Sequence, residues 1–508
     1  MKSKNTTTYP INQAVKYLKD LPLLAFNSRS RGSTPGFNNE PVSASEQVTL
    51  SFLDASVNML ILGGTGSGKT TGVVQPALDR LIQRHCAGLV LDIKGKFSFM
   101  ARDYPGRVMT LGCQENSLKM NLVGDLNPLE FMGLLKVMHG ELAAQHKHWL
   151  NEGLQQAGLV YAFLQTSGVA TLDNVEYLLS HPKIFVEQLT YWLREKPVIP
   201  AHLSRMIERA CHNPFSITAM GQFKLQQATE TWHSGQQYEW YVGDLCTLLA
   251  PFSQNSMLKA AFCSTTQGMS LSSLIYEQRK TLIFSGNSLV GEENVARALK
   301  ALFMKMIRES SSDMRAKAGC GESFFTFLMI DEYQHFIHAP QENNLCVFPD
   351  DNRFFDTSRE FGHINILATQ SLESLYSQVP EASVRTIVSN CLNLIALTPL
   401  IDPRTLVYLQ WLAGETSGNI VNECVSPMER GLGFVFKGNN FSGNKNSFVR
   451  IMTGSVPSHP WMGRYLTRHC APSMPVTMKR EEHVMMNPYY ASLRNAEPIA
   501  SVRTDIPF

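Results

Sequence analysis

The chain has 508 residues, 44% of them hydrophobic and 17% charged, with a formal net charge of +2. That length holds two or three domains at about 150 residues each. The balance excludes a disordered chain and gives no global argument for nucleic-acid binding, so any basic surface must be a local arrangement. Ten cysteines lie scattered between Cys86 and Cys470 without a C-x-x-C pair, which argues against a disulfide framework or a zinc ribbon and for a reducing, cytosolic compartment. There is no apolar leader and no run of about 18 apolar residues, so neither a signal peptide nor a membrane-spanning helix is expected.

Residues 1–44 read as an N-terminal arm: in its first 35 residues Lys2, Lys4, Lys16, Lys19, Arg29 and Arg31 are set against Asp20 alone, and Ser- and Gly-containing sequence follows over Asn27–Gly36. Either a solvated tail or a basic arm for DNA or anionic lipid fits that composition. Residues 45–139 carry a βαβ pattern. An apolar strand over Asn58–Leu62 precedes a Gly-rich turn, a helix spans Thr70 to about Arg84, and Ala87–Asp92 is a buried strand ending in a carboxylate. Another strand is expected at Arg107–Leu111.

From 140 to 265 strand patterns vanish and apolar residues fall at helical spacing. Leu150, Leu154, Ala157, Tyr161 and Leu164 form one such series, and Leu179, Phe185, Leu189 and Trp192 another. This segment is an all-α domain inserted into a sheet domain that resumes over 266–455. There the pattern predicts a strand at Lys280–Ser285, a helix from Asn294 to about Arg308, and strands at Phe325–Ile330, Asn365–Thr369 and Leu392–Leu397. Loops are expected at Ser310–Ser323 and Ala339–Asn352. The remainder, 456–508, is a Pro-, Met- and Arg-rich C-terminal tail, read as a docking segment or a wrap over the domain. Strands alternating with crossover helices make the class α/β with a parallel-rich twisted sheet.

The Gly-rich turn carries the chemistry. Gly63, Gly64, Thr65, Gly66, Ser67, Gly68, Lys69 and Thr70, followed by Thr71, fill the pattern G-x-x-x-x-G-K-[ST] between a strand and a helix. Backbone N–H groups of such a loop cradle a β-phosphate, Lys69 is placed for the β/γ-oxygens, and Thr70 is placed to ligate Mg²⁺. Far downstream, Phe327–Ile330 closes in Asp331 and Glu332. In P-loop ATPases the first acid holds Mg²⁺ through water and the second polarises the attacking water. Glu332 therefore predicts hydrolysis, and the lack of an Asn-Lys-x-Asp segment favours ATP over GTP. Gln370, at the tip of the Asn365–Thr369 strand, is a candidate contact for the γ-phosphate and the water. Arg359 is the first candidate and Arg385 the second for stabilising transition-state charge across a subunit boundary, although surface ion pairing explains either residue equally well.

Together these segments resemble the type IV secretion and conjugation coupling proteins, the TraD/TraG-type relatives of the FtsK/HerA P-loop ATPases. Gly72-Val73-Val74-Gln75-Pro76 looks like the family's Gly-x-x-x-Pro. Leu91-Asp92-Ile93-Lys94-Gly95 looks like its Asp-Pro-Lys-Gly segment with Ile93 in place of proline, and Asn127-Pro128-Leu129 is similar to the Asn-Pro-Leu before its helical domain. Ser358–Gly362 with Gln370, and Ser389-Asn390-Cys391, match later boxes. The resemblance covers about residues 45–455. It implies a RecA-like P-loop NTPase motor plus an all-α domain, assembled as a homohexameric ring that uses ATP and Mg²⁺.

Such rings move relaxase-bound single-stranded DNA, or protein effectors, to inner-membrane components of a type IV secretion system. Family members commonly carry N-terminal transmembrane helices. This chain shows none, so a cytoplasmic protein held peripherally at the inner-membrane face is expected. Two other readings stay open: a soluble FtsK/HerA-like translocase acting on duplex DNA in DNA processing or defence, and an ATP-binding adaptor that recruits substrate without motor activity.

Overall fold

A computed structural model of the chain describes residues 21–28, 47–140, 147–195, 198–211, 216–218, 230–265, 270–286, 289–317, 325–338, 347–358, 362–397, 402–413, 432–436 and 448–452. The apolar runs form strands because both faces of each run find cover. Met59–Gly63 (β3), Ala87–Asp92 (β4), Thr281–Ser285 (β6), Thr326–Ile330 (β7) and Asn393–Leu397 (β9) are buried at every position, the mark of inner parallel strands. With Pro22–Ser28 (β1), Gln47–Ser51 (β2), Val108–Leu111 (β5), His363–Thr369 (β8), Leu432–Phe436 (β10) and Phe448–Met452 (β11) they build an 11-stranded sheet ordered β2-β1-β11-β10-β9-β3-β8-β7-β4-β6-β5. The strands from β9 to β5 pair in parallel, and β10, β11, β1 and β2 extend that sheet antiparallel. This is the RecA-like α/β fold with a parallel-rich sheet.

Period-2 alternation divides the core. Ile61, Val90, Ile283, Met329 and Ile366 face one cluster with Val73, Ala77, Leu78 and Leu81 of the helix after the P-loop. Leu60, Leu89, Phe284, Leu328 and Leu367 face the other, with the helix Glu292–Lys317 and the helices inserted between β5 and β6.

The chain leaves the sheet through an Asn-Pro start signal. Asn127 accepts hydrogen bonds from the N–H groups of Leu129 and Glu130, both at 3.0 Å, and the Glu130 carboxylate accepts in turn from Asn127 N–H at 2.8 Å. Pro128 opens the helix Pro128–His139, where its missing N–H costs nothing. Entry and exit of the insertion meet: Met120 N–H donates to Ala261 O at 2.9 Å and Leu122 N–H to Phe262 O at 3.0 Å. Leu150, Leu154, Ala157, Tyr161 and Leu164 all lie buried on the helix Lys147–Thr166. Tyr161 stacks on Phe131 at 4.0 Å between ring centroids, and its hydroxyl donates to Leu126 O at 2.8 Å.

Several expectations change. Part of the segment read as an arm is in the sheet, because β1 pairs with both β2 and β11; its short apolar run Leu23–Leu24 is buried. The six cationic residues of that arm lie outside the described residues, as does the tail 456–508. The series Leu179–Trp192 is two helices, Leu172–Ser180 and Pro182–Glu195, divided at Pro182. The serine-rich stretch from Ser310 begins as helix to Lys317, since the Ser310 hydroxyl donates back to Met306 O at 2.6 Å and satisfies itself within the helix. At the other loop, Asp350 caps a helix beginning at Asp351, accepting from Arg353 N–H at 3.0 Å.

Two of the family-like boxes meet in a buried polar knot. Asn58, before β3, donates through Nδ2 to Phe355 O and Asn390 O, both at 2.9 Å. Its Oδ1 accepts from Asn365 at 2.7 Å, and Asn365 also donates to Ser358 Oγ at 2.9 Å. Ser358 and Asn390 thus fix the base of the P-loop strand against its neighbours.

Candidate functional site

The site forms where four adjacent strands end. β3 leads into the P-loop, β8 into Gln370, β7 into Asp331 and Glu332, and β4 into Asp92 and Lys94. Carboxyl ends of parallel strands are the usual crevice for ligands in open α/β sheets. Gly68 takes φ +89°, in the left-handed region open to glycine, and this turns the loop into the following helix. That helix begins as a π-type turn over Lys69–Val74, with Gln75 N–H donating to Thr70 O, before the α-helix Gln75–Gln83. Pro76 explains the wide turn: its ring would collide with the carbonyl four residues back in a regular α-helix.

Lys69 is buried, 6% exposed, and its Nζ donates to the carbonyls of Gly63 and Gly64 in its own loop. Burial lowers its pKa, opposed by Glu332 and Asp331 and assisted by Lys94 and Lys96. The Thr70 hydroxyl donates to Asp331 Oδ2 at 3.2 Å, while Asp331 Oδ1 is buried with no hydrogen-bond partner. Burial raises the Asp331 pKa, against Lys96, Lys69 and the Thr70 hydrogen bond. An unsatisfied carboxylate oxygen beside a P-loop hydroxyl is a hard-oxygen donor set that fits a Mg²⁺ ion.

Glu332 turns the chain out of β7 at φ 60° and ψ 53°, a left-handed conformation that costs a non-glycine residue roughly 1–2 kcal/mol. The contacts that hold it there are specific. Lys94 donates to Oε1, while Gln334 at 2.7 Å and Gln370 at 3.2 Å donate to Oε2. Burial works against its charge, but these three donors outweigh it and bring the pKa down to about 2. Glu332 is a fixed anion at neutral pH, suited to accepting a hydrogen bond from water rather than storing a proton.

Residues 44–228, just over a third of the chain, match the family model described as "Helicase HerA, central domain". Among solved structures, the plasmid coupling protein TrwB in complex with ADP and Mg²⁺ aligns with TM-score 0.56 at 12% identity, over 85% of this chain and 93% of that one. TrwB in complex with the non-hydrolysable GTP analogue GDPNP aligns with TM-score 0.55 at 12% identity, over 85% and 94%. No curated protein matches by sequence. The likeness is to the HerA-related P-loop ATPases.

Of the residues expected at the site, the structure brings Gly63–Thr71, Asp331, Glu332 and Gln370 to neighbouring strand ends. Arg385 does not join them: it is exposed and pairs with Glu381 on its own helix. Arg359 lies outside the described residues. Among the described residues no three His, Cys, Asp or Glu side chains form a metal cluster, and no helix is long and apolar enough to cross a membrane.

Three contributors had no assigned role. Gln334 donates to Glu332 and accepts from the Thr369 hydroxyl at 2.8 Å, locking β7 to β8. Lys94 pairs with Glu332 across β4 and β7. Asp92, fully buried, accepts from Phe97 N–H at 2.7 Å. In the sequence Asp92 and Lys94 stood out only through the family-like segment Leu91–Gly95, and Gln334 only through its place shortly after the end of β7.

Asp92 gives a pH prediction. Burial raises its pKa to about 6 despite the Phe97 hydrogen bond, and the Asp331 charge adds to the rise. The folded protein therefore keeps a proton that the unfolded chain releases near pH 4, so stability falls as pH climbs through the folded pKa. Between pH 5 and pH 7 this group alone removes on the order of 1 kcal/mol. Urea unfolding in EDTA is expected to show that slope reduced by this amount in Asp92→Asn, which can still accept from Phe97. An unchanged slope would mean that Asp92 is already ionised when folded.

Proposed function

We propose that this protein hydrolyses ATP to drive a translocation step, as a coupling protein that recruits DNA or protein substrate to a type IV secretion or conjugation channel. The observation that carries the reading is the convergence of Thr70, Asp331, Glu332 and Gln370 at neighbouring strand ends. That TrwB, of similar fold, was solved with ADP and Mg²⁺ and with a GTP analogue supports a nucleotide and Mg²⁺ as ligands here. Thr70 and Asp331 would hold the ion, which neutralises phosphate charge when bound. Lys69 would exchange its loop carbonyls for the β/γ-phosphates, and the P-loop N–H groups would fix the nucleotide. Glu332 would orient the attacking water, with Gln370 holding that carboxylate and bordering the γ-phosphate.

The wider reading is a homohexameric ring with Arg359 or Arg385 acting in trans, working on relaxase-bound single-stranded DNA or on protein effectors. It would be recruited to the cytoplasmic face of the inner membrane by secretion components. The HerA central-domain match favours a second reading, a translocase on duplex DNA. The test is the ATPase rate of the full chain alone, with single-stranded DNA and with duplex DNA. Stimulation by single strands supports the coupling role, and stimulation confined to duplex supports the HerA-like one. Nucleotide binding without hydrolysis under every condition would leave an adaptor and overturn the motor.

A further inference from the structure

We propose that Lys94 is a positioning residue that reports the γ-phosphate to Glu332, holding the carboxylate until a terminal phosphate arrives and then leaving it for that phosphate. This rests on the reading that the site hydrolyses a nucleoside triphosphate.

The backbone around Lys94 is pinned by hydrogen bonds, while its side chain is half exposed and held only by Glu332 among the described residues. β4 and β7 run side by side with Leu91 opposite Ile330, and Asp331 N–H donates to Leu91 O at 3.1 Å. The two strand ends are therefore held together. Beyond β4 the chain folds tightly: Gly95 N–H donates to Asp92 O at 3.2 Å, and Asp92 in turn accepts from Phe97 N–H. Gly95 takes φ +66°, and a Cβ there would approach Gly286 O at 2.8 Å. Glycine is thus required both by conformation and by space. Out of this rigid turn the Lys94 side chain, 44% exposed, reaches across to Glu332, itself only 7% exposed.

The division of hydrogen bonds on Glu332 is what gives the contact a direction. Gln334 and Gln370 both hold Oε2, whereas Lys94 alone holds Oε1. If Lys94 departs, Oε2 stays anchored by two neutral amides and Oε1 becomes an open acceptor for water. The charges favour that exchange. Lys69 and Lys94 lie near enough to influence each other, so the site offers two ammonium groups around the space where phosphate oxygens would enter. A terminal phosphate carries more negative charge than one carboxylate. An ammonium on a flexible four-carbon stem moves readily between the two, and a half-exposed ion pair is weak enough to give way.

Nucleotide binding tests this without relying on turnover. Displacement of a fluorescent ADP derivative would give affinities for ADP and for the β,γ-imido analogue of ATP, with Mg²⁺ present throughout. Lys94→Met is expected to weaken the analogue about tenfold more than ADP, the scale of one charge-assisted hydrogen bond. Lys94→Arg keeps a cation in reach and should retain most of the preference for the analogue. Glu332→Gln, whose amide no longer pairs with the ammonium, should increase that preference, and adding Lys94→Met should abolish the increase.

A purely structural lysine would change both affinities by the same factor, and that result overturns the proposal. Loss of folding in Lys94→Met, read by circular dichroism, would leave the Lys94→Arg and Glu332→Gln ratios to decide. A wild-type preference in Glu332→Gln, with no gain, also overturns it. Failure of the hydrolysis reading looks different: the wild-type chain would then bind nucleotide without turning over ATP, whatever the binding ratios show.

Discussion

Glu332→Gln is expected to keep nucleotide bound and to slow ATP turnover by roughly 10²-fold or more, the scale of losing a group that activates the attacking water. The substitution keeps size and leaves an amide oxygen to accept from Gln334 or Gln370. What it removes is the fixed negative charge that three donors now hold at a pKa of about 2. Because that pKa lies far below neutrality, the wild-type rate should not fall through protonation of Glu332 anywhere between pH 5 and pH 8. Lys69→Ala should act earlier, on affinity, since the residue is positioned by the P-loop itself. Steady-state ATPase assays with parallel binding measurements separate the two effects. Equal rates for wild type and Glu332→Gln would remove that carboxylate from the mechanism.

The parts of this site that were legible in the sequence are those whose chemistry is local. A P-loop is a contiguous pattern because one turn of backbone must wrap one phosphate. Asp331 and Glu332 stand out because two acids end an apolar strand. Gln370 was readable because a polar amide closes the His363–Thr369 run. Lys94 was visible as part of a family-like segment, yet its partner is Glu332, and only the strand order β7-β4 makes them neighbours. The same holds for Asn58 and Asn390, which meet through the pairing of β3 with β9. The strand β1 was missed for a related reason. A short run such as Pro22–Ser28 carries little pattern of its own and is made a strand by β2 and β11, one on each side. Where a contact depends on which strands lie side by side, spacing along the chain is silent.

A buried ion pair behind the site was equally silent, and it carries the largest expected effect on stability. Lys300, on the helix Glu292–Lys317, and Asp351 are 2% and 0% exposed, with Lys300 Nζ 2.6 Å from Asp351 Oδ1 and 2.8 Å from Oδ2. The ammonium also donates to Phe336 O, and Asp351 Oδ2 accepts from the Tyr333 hydroxyl at 2.5 Å and from His338 N–H at 2.9 Å. These contacts tie the turn that follows Glu332 to two helices. Burial lowers the Lys300 pKa, and Asp351 opposes the shift. Removing the cation alone leaves a carboxylate in a dry setting, so Lys300→Met is expected to destabilise the fold by about 3–5 kcal/mol. Adding Asp351→Leu removes the stranded charge and should recover part of that loss. Recovery is incomplete because Tyr333 and His338 then lose their acceptor. Denaturant unfolding of the two variants decides the matter: a Lys300→Met loss below about 1 kcal/mol would show that water reaches this pair.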